Sequence, residues 1–158
     1  MPRRAAALDS SQFAAYDRAV PLRRDAKVEL LKKVPLFADC SKTELRALAK
    51  TADEIDLREG TVMTREGRPG REFFVLVEGS ALVSKKGKKV AGLKGGDWFG
   101  EIALLTDTPR TATVTATSAV DVLVITDRRF KTVVETMPSI ALKVLSSVSD
   151  RLTQDAHS

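Results

Sequence analysis

Two side chains that dominate metal and redox chemistry are almost missing from this 158-residue chain, which has one cysteine, Cys40, and one histidine, His157. A single cysteine excludes an internal disulfide, suits a reducing cytoplasm and leaves Cys40 without an expected role. One histidine in the tail excludes the multi-histidine metal sites of barrel enzymes, and no histidine–cysteine pair can form a nucleophilic centre. Aromatic residues make up 5% of the chain. None is interleaved with the basic residues as in single-stranded nucleic-acid platforms. The longest apolar run in the middle of the chain, Phe73–Val77, falls far short of the roughly 20 residues that cross a bilayer. Arg3-Arg4 is followed by alanine-rich but repeatedly polar sequence, so no secretory signal is expected. Gly-x-Ser-x-Gly and P-loop motifs are absent, and catalysis is not expected.

What is present is a globular balance of 43% hydrophobic and 30% charged residues, enough at this length for one core with an appendage. The net charge is +5 and the pI about 9.5. Basic residues are spread, with one dense run, Lys85-Lys86-Gly87-Lys88-Lys89. Flanked by Ala81-Leu82-Val83 and Val90-Ala91-Gly92-Leu93, it reads as the tip of a β-hairpin turning at glycine. A solvated tip and a contact for an acidic partner or membrane headgroups are the two readings it allows.

Helices are expected over Gln12–Val20 and Asp25–Lys33, broken at Pro21, and Pro35-Leu36-Phe37 marks a tight apolar connection. Ser41-Lys42-Thr43-Glu44 is a capping box opening a helix to about Ala52, with Leu45, Leu48 and Ala49 buried. Short strands follow near Ile55–Leu57, Thr61–Thr64, Phe73–Val77, Ala81–Ser84, Val90–Leu93, Ala112–Ala116 and Asp121–Ile125. Their spacing between glycine turns points to a sandwich or barrel. After Ile125 the period becomes helical. Asp127 is placed to cap a helix over Arg128–Thr136, and Pro138 suits the first turn of another ending near Thr153. There Ile140, Ala141, Val144, Leu145, Val148 and Leu152 share a face, leaving Lys143, Ser147 and Asp150 outside. A helix packed permanently on the strands and a dimer seam both fit that face.

The chemically specific stretch is Phe99-Gly100-Glu101-Ile102-Ala103-Leu104-Leu105, followed by Thr106-Asp107-Thr108-Pro109-Arg110-Thr111-Ala112. A cyclic phosphodiester on ribose needs forked cationic donors, converging amides and an acceptor for a sugar hydroxyl. Arg110 supplies the fork. The first turn of a helix opening at Gly100 supplies amides, and ionised Glu101 supplies acceptors only. A structural Glu101–Arg110 ion pair is the plain alternative, though costly to bury.

Gly100–Leu105 followed by Arg110-Thr111-Ala112-Thr113-Val114 resembles the phosphate-binding cassette of cyclic nucleotide-binding domains, the family of protein kinase A regulatory subunits, nucleotide-gated channels and catabolite activator protein. Phe73–Gly79 and Leu93–Phe99 extend the resemblance, which covers about Val34 to Leu152. It implies an α+β, mainly β fold: a β-roll or jelly-roll barrel of about eight short antiparallel strands, with N-terminal helices and C-terminal hinge and lid helices. The implied division is an N-terminal helical extension at 1–34, a β-roll at 35–126 with the cassette at 99–114, and hinge and lid at 127–158.

By the same resemblance Glu101 takes the ribose 2′-hydroxyl and Arg110 the cyclic phosphate, while Gly100 shapes the turn. The amides of Ala103 and Thr111 donate to phosphate oxygens, and the Thr111 hydroxyl bonds phosphate or purine. Ile102 and Ala112 complete the cassette contacts. Arg151 is the candidate for stacking over the base from a lid helix hinged around Phe130, Val133 and Val134. The implied ligand is cAMP, with cGMP the alternative; no cofactor and no metal are expected. The implied function is a regulatory sensor that signals to a protein partner or through a homodimer. A fragment of a channel or kinase and a nucleotide buffer are the other readings. Only a few polar residues follow Leu152, so no DNA-reading module is expected, and Met1 with the polar tail suggests a complete small protein.

Overall fold

The computed structural model describes residues 24–156, and the expected helix over Gln12–Val20 lies outside them. Helix α1 (Arg24–Lys32) leads to a 3-10 turn at Pro35–Phe37 and helix α2 (Lys42–Thr51). The capping box forms as expected: Glu44 N donates to Ser41 Oγ at 3.1 Å and Ser41 N to Glu44 Oε1 at 2.8 Å. Eight strands follow: β1 (Asp53–Leu57), β2 (Val62–Thr64), β3 (Glu72–Glu78), β4 (Ser80–Lys85), β5 (Lys88–Lys94), β6 (Trp98–Phe99), β7 (Thr113–Ala116) and β8 (Val120–Thr126). Helix α3 (Glu101–Thr106) separates β6 from β7, and α4 (Asp127–Thr136) and α5 (Pro138–Ala156) complete the order.

The strands form two four-stranded sheets, β1-β8-β3-β6 and β2-β7-β4-β5, with every pairing antiparallel. They face each other without closing, so the β-roll is an open two-sheet structure and not a closed barrel. Strands β3 and β8 explain the unbroken apolar runs in the sequence. Phe74, Leu76, Val122 and Val124 point between the sheets, where they meet Ile55, Met63 and Val114. The alternate residues Phe73, Val75, Leu123 and Ile125 point outward into a second core roofed by helices. A strand buried on both faces has no polar side to show. Phe73 stacks on Phe130 of α4 at 4.5 Å, and Phe74 on Phe99 of β6 at 4.8 Å.

Several expectations need correction. The cap of α4 is Thr126; Asp127 sits inside the first turn, its carboxylate accepting from Arg128 N at 2.7 Å. On α5 the buried stripe is Ile140, Val144 and Val148, whereas Leu145 is 62% exposed and Leu142 is exposed beside it. Lys143 does not stand outside: its Nζ donates to Pro35 O at 2.7 Å and lies 3.0 Å from Asp39. Ser147 is half-buried too. The helix is rotated so that one narrow stripe meets the 3-10 turn and α4, which leaves room for neither Leu145 nor Leu142. The strand expected from Ala112 starts at Thr113, and β6, two residues long, had no counterpart among the seven located strands.

Candidate functional site

Pairing of β6 with β3, Phe99 opposite Phe74 and Trp98 opposite Val75, delivers the chain to Gly100 beside the start of β3. Gly100 has φ +96°, and an added Cβ would lie 2.8 Å from Glu72 O and 2.9 Å from Arg110 Nη1. Both backbone and space therefore demand glycine. As N-cap of α3 it offers no side chain to the first-turn amides. Glu101, Ile102, Ala103 and Leu104 are buried, and α3 ends at Asp107, φ +53°, whose N–H returns to Ala103 O.

The loop beyond α3 is tied to the loop before β3. Arg110 N donates to Arg68 O and Gly67 N to Arg110 O, each at 2.9 Å. Those bonds aim the Arg110 side chain inward. Its Nη1 donates to Gly100 O at 3.2 Å and its Nη2 to Glu72 O at 2.8 Å, with Nη2 3.5 Å from the Glu72 carboxylate. The guanidinium lies 5.9 Å from the Phe74 ring centroid. Gly70 covers it from the other side: a Cβ there would stand 2.0 Å from Arg110 Nε. Two glycines thus make the slot in which the guanidinium lies.

Glu101 is 0% exposed, Glu72 2% and Arg110 5%. Burial pulls the arginine below its ordinary pKa, opposed by the negative charges of Glu72 and then Glu101. Such a site has a forked cation held in a fixed plane and an acceptor-only carboxylate beside it. The guanidinium can donate to an anion and the Glu101 carboxylate can accept from a hydroxyl. Nothing in it supplies a metal, and among the described residues no group of histidine, cysteine and acidic side chains could hold one.

Of the residues expected from the sequence, Gly100, Glu101 and Arg110 come together; Ile102 and Ala103 are buried on the same short helix, and Ala112 is buried with its O accepting from Thr64 Oγ1 at 3.0 Å. Thr111 is exposed. Arg151 lies on α5, but its side chain is outside the described residues. Glu72 and Gly70 were not expected. The available signal for Glu72 was an acid opening the run Phe73–Val77, since a carboxylate at the head of a buried strand needs a cation. Gly70 gave no separate signal.

A cavity of about 600 Å³ opens between the cassette and α4, with Gly70 and Glu72 on one side, Ala103 and Asp107 on another, and Asp127 and Lys131 on the third. Of the expected contact residues only Ala103 lines it. Glu101 and Arg110 are buried and do not line it.

Residues 54–137, just over half of the chain, match the family model described as the cyclic nucleotide-binding domain. A cAMP-dependent protein kinase regulatory subunit of Yarrowia lipolytica is 44% identical over 96 residues, covering 60% of this chain and 26% of that protein. A subunit of the same description from Mycosarcoma maydis is 43% identical over 123 residues, covering 73% and 23%. The chain thus spans about a quarter of the length of these curated relatives. Among solved structures, the regulatory domain of Toxoplasma gondii protein kinase A with cAMP superimposes with a TM-score of 0.65 at 27% identity, covering 85% of this chain and 50% of that one.

Proposed function

Since the chain belongs to the cyclic nucleotide-binding domain family, we propose that it senses cAMP through Arg110 and Glu101 and reports occupancy to a protein partner by moving its C-terminal helices. The observation that carries this reading is the buried Arg110 guanidinium, held in plane by Gly100 O and Glu72, with buried Glu101 in the same cassette. Arg110 takes the cyclic phosphate together with the amides of Ala103 and Thr111, and Glu101 takes the ribose hydroxyl. The relatives named as cAMP-dependent and the relative solved with cAMP support adenine over guanine. The module divides at 34 and 126 into extension, β-roll, and hinge with lid.

Both key side chains are enclosed in this structure, so a nucleotide reaches them when the cassette opens. Leu104 of the cassette packs in the core that contains Phe130, Val133, Ile140 and Val144. Displacing α3 therefore disturbs α4 and α5, and a ligand that favours one cassette position shifts the helices with it. The relatives' description as regulatory subunits supports a protein partner and a non-catalytic role.

Calorimetric titration of nucleotide-free protein with cAMP and cGMP tests the reading. The wild type binds cAMP more tightly, and Arg110→Lys, which loses the fork and keeps the charge, binds roughly 10- to 100-fold more weakly, the value of a charge-assisted pair. Unchanged cAMP affinity in that variant refutes the assignment of Arg110. Tighter cGMP binding transfers the reading to guanine.

A further inference from the structure

We propose that the β4–β5 hairpin is a docking surface for the anionic headgroups of a membrane leaflet. Strand β5 is an edge of its sheet, and from Lys88 to Lys94 every residue except Leu93 is exposed. The turn is formed by Lys86 at φ +53° and Gly87 at φ +78°. Lys86, Lys88 and Lys89 all project from the tip, and among the described residues none of the three is held in an ion pair. The cross-strand register places Lys85 directly opposite Lys88. With Lys86 and Lys89 beside them, these side chains concentrate positive charge on one exposed turn, which an external negative surface attracts.

The tip is also held firmly in place. Lys86 N donates to Glu66 Oε1 at 2.8 Å, and Glu66 N donates to Thr113 Oγ1 at 3.0 Å. Glu66 offsets one positive charge there, but its neighbours Arg65 and Arg68 extend the basic surface along the same loop. Beside the lysines Val90 is 54% exposed, an apolar side chain open to a lipid surface.

Composition selects the occupant. Residues 80–94 contain no aromatic side chain to stack unpaired bases, and the exposed apolar Val90 beside the lysines suits a lipid surface, whereas a two-stranded ribbon in a duplex groove reads base edges with polar side chains. A fluid layer of anionic lipid needs no complementary pocket and moulds itself around a protruding tip. Each basic residue near such a leaflet adds roughly fivefold to partitioning, and salt screens the effect.

The test is sedimentation of the full chain with phosphatidylcholine vesicles and with vesicles containing 30% phosphatidylserine (roughly the charge of a natural leaflet) at low and high salt. Wild type sediments with the anionic vesicles, loses them at high salt, and ignores the neutral ones. Lys88→Gln with Lys89→Gln lowers the partition coefficient by roughly 25-fold at two fivefold steps. Lys42→Gln with Lys50→Gln, exposed on α2, leaves it near the wild-type value. Equal sedimentation of the hairpin variant, or an equal loss in the α2 variant, overturns the proposal. So does binding of a DNA or RNA duplex, read by fluorescence anisotropy, in the absence of any vesicle binding.

Discussion

Gly70 contacts no expected ligand atom, yet it decides whether the arginine can lie where it does. A methyl group there would stand 2.0 Å from Arg110 Nε, so Gly70→Ala expels the guanidinium from its slot. The expected outcome is a loss of cAMP affinity of roughly 10- to 100-fold, comparable to that of Arg110→Lys, measured by calorimetry with circular dichroism to verify the fold. Asp121 gives a second prediction. It lies opposite Asp56 on β1 and Glu78 on β3. Burial, a hydrogen bond with Glu54 and the charges of Glu54, Asp56 and Glu78 push its carboxyl up to about 8 from an ordinary 3.8. The folded protein therefore keeps this proton at pH values where the unfolded chain has released it. Asp121 favours folding fully below about pH 4, and its contribution declines as pH rises toward 8. Tm should fall across that window and fall less steeply in Asp121→Asn, as read by thermal denaturation at stepped pH. At this scale the sequence singled out Glu101 and Arg110 because their chemistry is unusual for their spacing, and the structure buries both in one cassette. Glu72 was not, because its partner is 38 residues away and the two meet only through tertiary contacts, the β3–β6 pairing and the bonds between the Arg110 backbone and the loop before β3.

Elements were legible where local chemistry alone defines them. The Ser41–Glu44 box sets the start of α2 from four residues, and the apolar runs of β3 and β8 located two strands, though not their burial on both faces. Two-residue β6 exists only because β3 offers it an edge, so nothing local could reveal it. Helix α5 shows the limit of periodicity. Its sequence has enough apolar residues for a wide stripe, but the neighbouring 3-10 turn and α4 accept a narrow one. Ile140→Ala, at a site 1% exposed, should destabilise by about 2–5 kcal/mol in urea denaturation, whereas Leu145→Ala should stay within about 0.5 kcal/mol. Equal effects would mean that α5 packs with a different face.

Across the whole molecule the two cores share β3 and β8, so cassette, sheets and C-terminal helices form one mechanical unit. Two-sheet architecture followed from strand spacing; the openness of the roll did not, since closure depends on which strand edges meet. Hydrogen exchange over residues 128–150 should differ between free and cAMP-saturated protein if α4 and α5 follow the cassette. Identical protection would leave binding in place and remove the switch.

The segment from Arg65 to Gly70 grips the Arg110 backbone at two points, presses on its side chain, and reaches through Glu66 to the lysine turn. Surface connections ordinarily drift in length as sequences diverge. A residue inserted between Glu66 and Gly70 would put the grip on Arg110 out of step with the anchor at the lysine turn, so this span tolerates a change of length less well than an untethered loop would.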